Sequence, residues 1–301
     1  MQSWEKIGLI FCPDGRHPLM RSHATLPIAE AIGGDLYKIY FSSRDENNRS
    51  RTFNLVIDLN RPLQAMDVNV EPLLDIGELG GFDDSGAMLS WITDAGALGK
   101  YFYYAGWNLG VTVPFRNALG VALVRDGHIV RRYRGPVLDR SMSEPHFVGA
   151  ACILREGDLY RCWYLSCVGW EPREPRPVHR YHLKYAESAD GLTWRRDGIV
   201  AIDFANPGEF AIARPSVIRD ADRYRMWFSH RGDNYRIGYA ESDDGVGWTR
   251  MDGEVGLAVS RSGWDCDSLA YPYVFDHKGS RFMLYNGNEY GRSGFGLAVL
   301  R

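Results

Sequence analysis

The sequence predicts an all-β fold: a five-bladed β-propeller forming one domain over residues 1–301, with an N-terminal strand completing the C-terminal blade. Three observations carry this expectation. The phrase KYAESADGLTW (184–194) is rewritten as GYAESDDGVGW (238–248). Weaker relatives, FNLVIDLNR (53–61), LGVALVRDG (119–127) and FGLAVLR (295–301), extend the repeat to five copies, with Ile57, Ala122, Ala186, Ala240 and Ala298 recurring about every sixty residues. The last copy stops one strand short at Arg301, and WEKIGLIF (4–11) carries the pattern of the missing strand. A ring closed in that way loses two open sheet edges.

Each copy supplies its strands in the same order. The apolar runs ATLPIAEAI, AMLSWIT, GAACIL, ARPSVI and AYPYVF come first. Aromatic runs follow: YKIYFSS (37–43), KYFYYAGW (100–107), YRCWYLS (160–166), YRMWFSH (224–230) and RFMLYNG (281–287). Alternating aromatic and β-branched residues bounded by Gly, Asp and Asn are strand and hairpin signals. The repeated phrase is the third strand, and Asp-Gly at 126–127, 190–191 and 244–245 supplies the positive φ that a tight turn needs. Fourth strands are expected in HIVRRYRGPVL (128–138), WRRDGIVAI (194–202) and WTRMDGEVGLAV (248–259).

Composition narrows the function classes. A formal charge of −3 gives no broad basic surface for nucleic acid or anionic lipid. No window approaches eighteen apolar residues, so no membrane span is expected. The N-terminus lacks a basic stretch followed by a long apolar run, so no signal peptide is read. Five cysteines without a CxxC pair point to free thiols in a reducing cytoplasm and give no zinc spacing. Nine Trp and seventeen Tyr suit stacked sheets and also suit the apolar faces of sugar rings.

In a four-stranded blade, the start of the first strand lies nearest the ring axis. The segments before the five first strands place Asp14, Arg21 and His23, then Asp83 and Asp84, Glu144 and His146, Glu209 and Arg214, and Asp265 and Asp267 at that level. Carboxylates, histidines and arginine suit a polyhydroxylated ligand, and a pair of carboxylates is what glycosidic bond cleavage requires. For Asp84, Asp265 and Asp267 the alternative role is capping turns, for Arg214 an internal ion pair, and for His23 and His146 a backbone carbonyl partner. Trp107 and Trp170, in the turns after the second strands, are the candidate sugar platforms; Trp194 and Trp248 are expected to pack between blades. No cofactor is expected; a central ion held by carboxylates or a single His stays open.

ARPSVIRDADRYRMWFSHRGDNYRIGYAESDDGVGW (213–248) resembles blades of the five-bladed propeller glycosidases of the arabinanase and xylosidase, invertase and levansucrase, and mannoside phosphorylase types. The resemblance implies a carbohydrate-active enzyme acting on an oligosaccharide or smaller sugar. It implies Glu209 as general acid, Glu144 as its tuning or base partner, and Asp14 in the first blade as nucleophile or base. Binding would fall to His23, Asp83, Asp84, Trp107, His146, Trp170, Arg214, Asp265 and Asp267. The match is displaced at two places, because Ser22 and His23 stand where the first Asp is expected and Ala213 stands where the acid is expected. A glycosyl-transferring or phosphorolytic enzyme, with Arg21, Arg214 and the histidines on an anion, and a catalytically inactive sugar-binding propeller are the alternatives.

Overall fold

The computed structural model describes residues 2–301. Strands take 57% of the residues and helices 3%, which meets the all-β expectation. The chain divides into two compact units, Met1–Asp75 with Ser216–Arg301, and Ile76–Pro215.

The first unit opens with β1 (Trp4–Phe11), β2 (Ser22–Gly33), β3 (Leu36–Arg44), β4 (Ser50–Asp58) and β5 (Met66–Leu74). Strands β2 to β5 pair antiparallel in sequence order. The second unit holds β6 (Gly86–Asp94), β7 (Lys100–Leu109), β8 (Phe115–Arg125) and β9 (His128–Arg132), again paired in order. It continues with β10 (Val148–Glu156), β11 (Leu159–Glu171), β12 (Val178–Ser188) and β13 (Val200–Ile202). Strand β14 (Ala211–Arg219) has residues on both sides of the division. Back in the first unit, β15 (Tyr224–Arg231), β16 (Tyr235–Ser242) and β17 (Thr249–Arg250) pair in order, and β18 (Ala270–His277), β19 (Ser280–Asn286) and β20 (Phe295–Leu300) follow.

The last three strands form a four-stranded sheet with β1, in the order β1-β20-β19-β18. Trp4 lies opposite Leu300 and Phe11 opposite Phe295, so the N-terminal stretch does complete the C-terminal set. In this unit Ile39, Phe41, Phe53 and Leu55 of β3 and β4 pack with Leu284, Phe295 and Leu297 of β19 and β20, all fully buried. In the second unit, Ser90 of β6 donates its hydroxyl to the Ala151 carbonyl and accepts the Ala151 N–H, at 2.9 and 2.7 Å. A small polar side chain thereby joins β6 to β10 where two bulged strands cannot share a regular ladder.

The repeated phrase closes on itself in both copies. Ser188 Oγ accepts the Gly191 N–H at 2.9 Å, and Asp190 Oδ1 accepts the Leu192 and Thr193 N–H groups at 2.7 Å. Ser242 and Asp244 do the same for Gly245, Val246 and Gly247. The tyrosines point to the phrase's own glutamates, Tyr185 to Glu187 at 2.9 Å and Tyr239 to Glu241 at 2.6 Å. Only Asp126-Gly127 is the expected two-residue hairpin, with φ of 51° and 78°. At 190–191 and 244–245 the glycine alone is left-handed, because the Ser and Asp side chains satisfy the turn's N–H groups and allow a wider loop. Trp194 packs edge-on against Tyr103 of β7, as expected of a packing residue, while the Trp248 indole bonds the Gly245 carbonyl at 3.1 Å.

Candidate functional site

Three of the predicted site carboxylates occupy equivalent places in the repeat and are held in the same way. Asp83 accepts from Tyr104 at 3.0 Å and Arg132 at 2.5 Å. Glu144 accepts from Tyr164 on both oxygens at 3.1 Å, from Ser166 at 2.6 Å and from Arg196 at 2.9 Å, with Lys184 at 3.5 Å. Asp265 accepts from Tyr285 at 3.1 Å and Lys6 at 2.6 Å. Each joins the segment before a first strand to a tyrosine of the second strand and a cation from the outer edge. Each carboxylate is at least 95% buried, and a buried charge is tolerated only with such partners. Burial first, then the neighbouring carboxylate, raises all three phenols, Tyr104 to about 12, so they remain donors.

This arrangement gives Glu144 the bonding of a structural clamp, with its oxygens engaged by four side-chain groups. In the β14–β17 set Phe228 occupies the tyrosine's place; Arg250 lies over its ring at 5.1 Å and pairs with Asp252 at 2.6 Å. Glu209, the acid before β14, therefore has no tyrosine at the equivalent position. The Tyr/Phe difference is readable in KYFYY, YRCWY, RFMLY and YRMWF, but its meaning depends on knowing which acid faces which ring.

Glu209 is buried and accepts the Ala205 N–H at 2.7 Å. Its loop folds back onto β12: Tyr181 N–H bonds the Phe210 carbonyl at 3.1 Å, and Asp203 meets His182 Nδ1 at 3.0 Å. Since a carboxylate only accepts, Nδ1 carries the proton and Nε2 presents a lone pair. That Nε2 is buried with no hydrogen-bond partner among the described residues. Burial lowers the His182 pKa against the opposing pull of Asp203, keeping the ring neutral. The His182–Asp203 pair was absent from the sequence-based candidates because the residues lie on a third strand and beyond a fourth, away from the segments before first strands.

Trp170 sits beside this region in an aromatic cluster, 5.6 Å from both Phe115 and Phe147 and 5.8 Å from His179, with Phe210 joining through His179 at 6.3 Å. It is half-buried. Trp107 is also half-buried and lies across Gly86, whose absent Cβ leaves room for the indole. Asp84 caps its own turn, accepting from Gly80 N at 3.0 Å and Ser85 Oγ at 2.9 Å. His146 is half-buried. Arg214 is fully buried at a left-handed φ of 53° before Pro215; it donates to the Ser90 carbonyl and lies 5.5 Å over Trp91.

In the first unit, Asp14 departs from the expected place at a strand start. It is exposed and turned onto Arg16, whose N–H it accepts at 2.9 Å. Asp267 is exposed, and its backbone N–H bonds Asn288 at 2.8 Å. His23 is buried at a φ of 65° and bonds Ser22 Oγ at 2.9 Å. Burial, then the charges of Arg44 and Arg292, push its pKa down to about 4. Among the described residues no group of three His, Cys, Asp or Glu is arranged to hold a metal ion, and no helix is long and apolar enough to cross a membrane.

No protein-family model matches the chain. Two proteins of Mycobacterium tuberculosis match at 43% identity over 299 residues, covering 99% of this chain and 99% of each relative: uncharacterized protein MT1551 of strain CDC 1551 / Oshkosh and uncharacterized protein Rv1502 of strain ATCC 25618 / H37Rv. Among solved structures, a glycoside hydrolase superposes at a TM-score of 0.74 and 16% identity, over 98% of this chain and 90% of its own. A thermostable family-43 glycoside hydrolase follows at 0.66 and 15%, over 94% and 90%. The catalytic domain of a Coprinopsis cinerea GH62 α-L-arabinofuranosidase gives 0.62 and 12%, over 99% and 96%. At these identities the likeness is one of fold. Its fold is like that of these glycoside hydrolases, and the chain belongs to the protein family of Rv1502 and MT1551.

Proposed function

We propose that this protein is a carbohydrate-active enzyme acting on a glycosidic bond, built as one five-bladed ring from its five four-strand sets. The observation that carries the reading is the fold likeness to glycoside hydrolases across 98% of the chain. Glu209 is the proton donor to the leaving oxygen, and neutral His182, oriented by Asp203, takes the proton of an incoming nucleophile through Nε2. Trp170 and the rings beside it offer a flat apolar surface to a sugar face. Glu144 holds the floor of this region through Tyr164 and Arg196. The substrate is an oligosaccharide or smaller glycoside, and five free cysteines support a reducing compartment such as the cytoplasm.

The test is turnover of a panel of aryl glycosides and oligosaccharides by the wild type, Glu209→Gln and Asp203→Asn. Loss of the proton donor lowers kcat roughly 10²–10⁴-fold, least for substrates with acidic leaving groups that need no proton. Asp203→Asn shifts the acidic arm of the pH profile, where His182 takes up its proton, and leaves that leaving-group dependence intact. Equal turnover by wild type and Glu209→Gln removes the assignment, and a panel without any turnover removes the enzymatic reading.

A further inference from the structure

The first unit contains a second constellation, centred on Arg44. Arg44 ends β3 opposite Ser22, and its carbonyl accepts the Arg21 N–H at 2.8 Å, so it stands beside His23 at the start of β2. The β19–β20 turn is fastened to the same place. Asn286, fully buried, donates to the Ala24 carbonyl at 2.7 Å and accepts the Leu26 N–H at 3.0 Å. Gly291 rests on that carbonyl so closely that a Cβ would sit 3.0 Å from it. This brings Tyr290 into the field of Arg44 and Arg292 into that of His23. Tyr290 in turn accepts a hydrogen bond from Arg231 and packs edge-on against Tyr235 at 5.6 Å, whose ring is 5.8 Å from Tyr271.

Among the described residues the Arg44 side chain has no ion pair and no hydrogen bond, and its Nε is buried. Its neighbour Asp45 is committed to Arg49 and Arg51 at 2.8 Å. Glu289 reaches Arg292 at 3.1 Å, out in solvent. A guanidinium largely removed from water without a counter-charge costs free energy that folding does not recover. Burial lowers its pKa, opposed by Tyr271 and Tyr290. The turn that completes the cluster holds Glu289 and Tyr290 at left-handed φ of 51° and 60°, a second cost concentrated at one place.

We propose that Arg44, with His23, Tyr290, Arg231 and Arg292 around it, binds a compact oxyanion, a phosphate or carboxylate group carried by the sugar ligand or supplied as a free ion. The Arg44 fork gives paired N–H donors, the phenol adds a neutral donor, and His23 lies within the same field. This inference rests on the carbohydrate reading for the sugar part of the ligand, but oxyanion binding itself does not depend on Glu209 or on turnover.

Calorimetric titration of the full chain with inorganic phosphate, glucuronate, glucose 6-phosphate and neutral glucose tests the proposal. Wild type and Glu209→Gln bind at least one oxyanion, with affinity falling as salt rises, and bind it at least tenfold more tightly than glucose. Binding of free phosphate identifies an ion site; preference for glucuronate or glucose 6-phosphate identifies a charged sugar. Arg44→Met loses at least tenfold in oxyanion affinity while its melting temperature without ligand holds or rises, since an unpaired buried charge is removed. Tyr290→Phe, at the exposed edge of the cluster, loses several-fold and guards against a misfolded Arg44 variant. Turnover of neutral glycosides with no oxyanion binding overturns this proposal alone, and oxyanion binding without turnover overturns the enzymatic reading alone. A marked fall in the melting temperature of Arg44→Met makes Arg44 structural and also overturns the site.

Discussion

The Tyr164 hydroxyl lies 3.1 Å from both carboxylate oxygens of Glu144, and the Tyr285 hydroxyl donates to one oxygen of Asp265 at 3.1 Å. This relationship marks acids that hold the fold. Glu144→Ala leaves Arg196 and Lys184 facing a buried hole and is expected to destabilise by about 3–5 kcal/mol. Tyr164→Phe removes one charge-assisted bond and costs about 1.5–3 kcal/mol. Urea unfolding at neutral pH measures both. A stable Glu144→Gln variant with turnover abolished would return Glu144 to the catalytic step.

The repeated phrase makes a stability prediction of its own. Ser188→Ala and Asp190→Ala each strip acceptors from turn N–H groups and cost roughly 1–2 kcal/mol. Ser242→Ala and Asp244→Ala do the same in the second copy. Burial acts to raise the Asp190 pKa but is outweighed by the Thr193 and Leu192 N–H groups, which lower it. A carboxylate lowered on folding stabilises above its unfolded value and loses that contribution as pH falls through its folded value. The wild type therefore loses stability below about pH 4 more steeply than Asp190→Ala, as acid titration of the melting temperature would show.

His23 acts with the opposite charge and a different window. Its pKa near 4 lies below the unfolded value of 6.5. Between those values the unfolded chain takes up a proton that the native site refuses, so stability falls as pH drops from about 6.5 towards 4 and levels off below. The ring resonance in an NMR titration has its midpoint near 4 in buffer without phosphate or carboxylate. With an oxyanion bound beside it, that midpoint moves up. A midpoint near 6.5 in the free protein contradicts the burial and the adjacent arginines as its cause.

Strand order and the joining of β1 to β20 were legible because they rest on local rules. Alternation sets which side chains face the core, and Gly and Asp set the turns. The same rules pointed to the segments before the first strands, which do contain His23, Glu144 and Glu209. Reading stopped at the point where neighbours decide. Asp83, Glu144 and Asp265 look alike in sequence to any solvated or catalytic acid, and Asp14 looks like a better nucleophile than its exposed turn allows.

The sequence by itself determined the repeat, the all-β class and the places of the Asp-Gly turns, because each depends on residues a few positions apart. Tertiary structure alone decided which charges are neutralised. Tyr285 and Lys6 reach Asp265 from opposite ends of the chain, Asp203 reaches His182 from the end of the neighbouring strand, and among the described residues no acid pairs with Arg44. The worth of a buried charge depends on its partners and on the water it has lost, and both are properties of the fold.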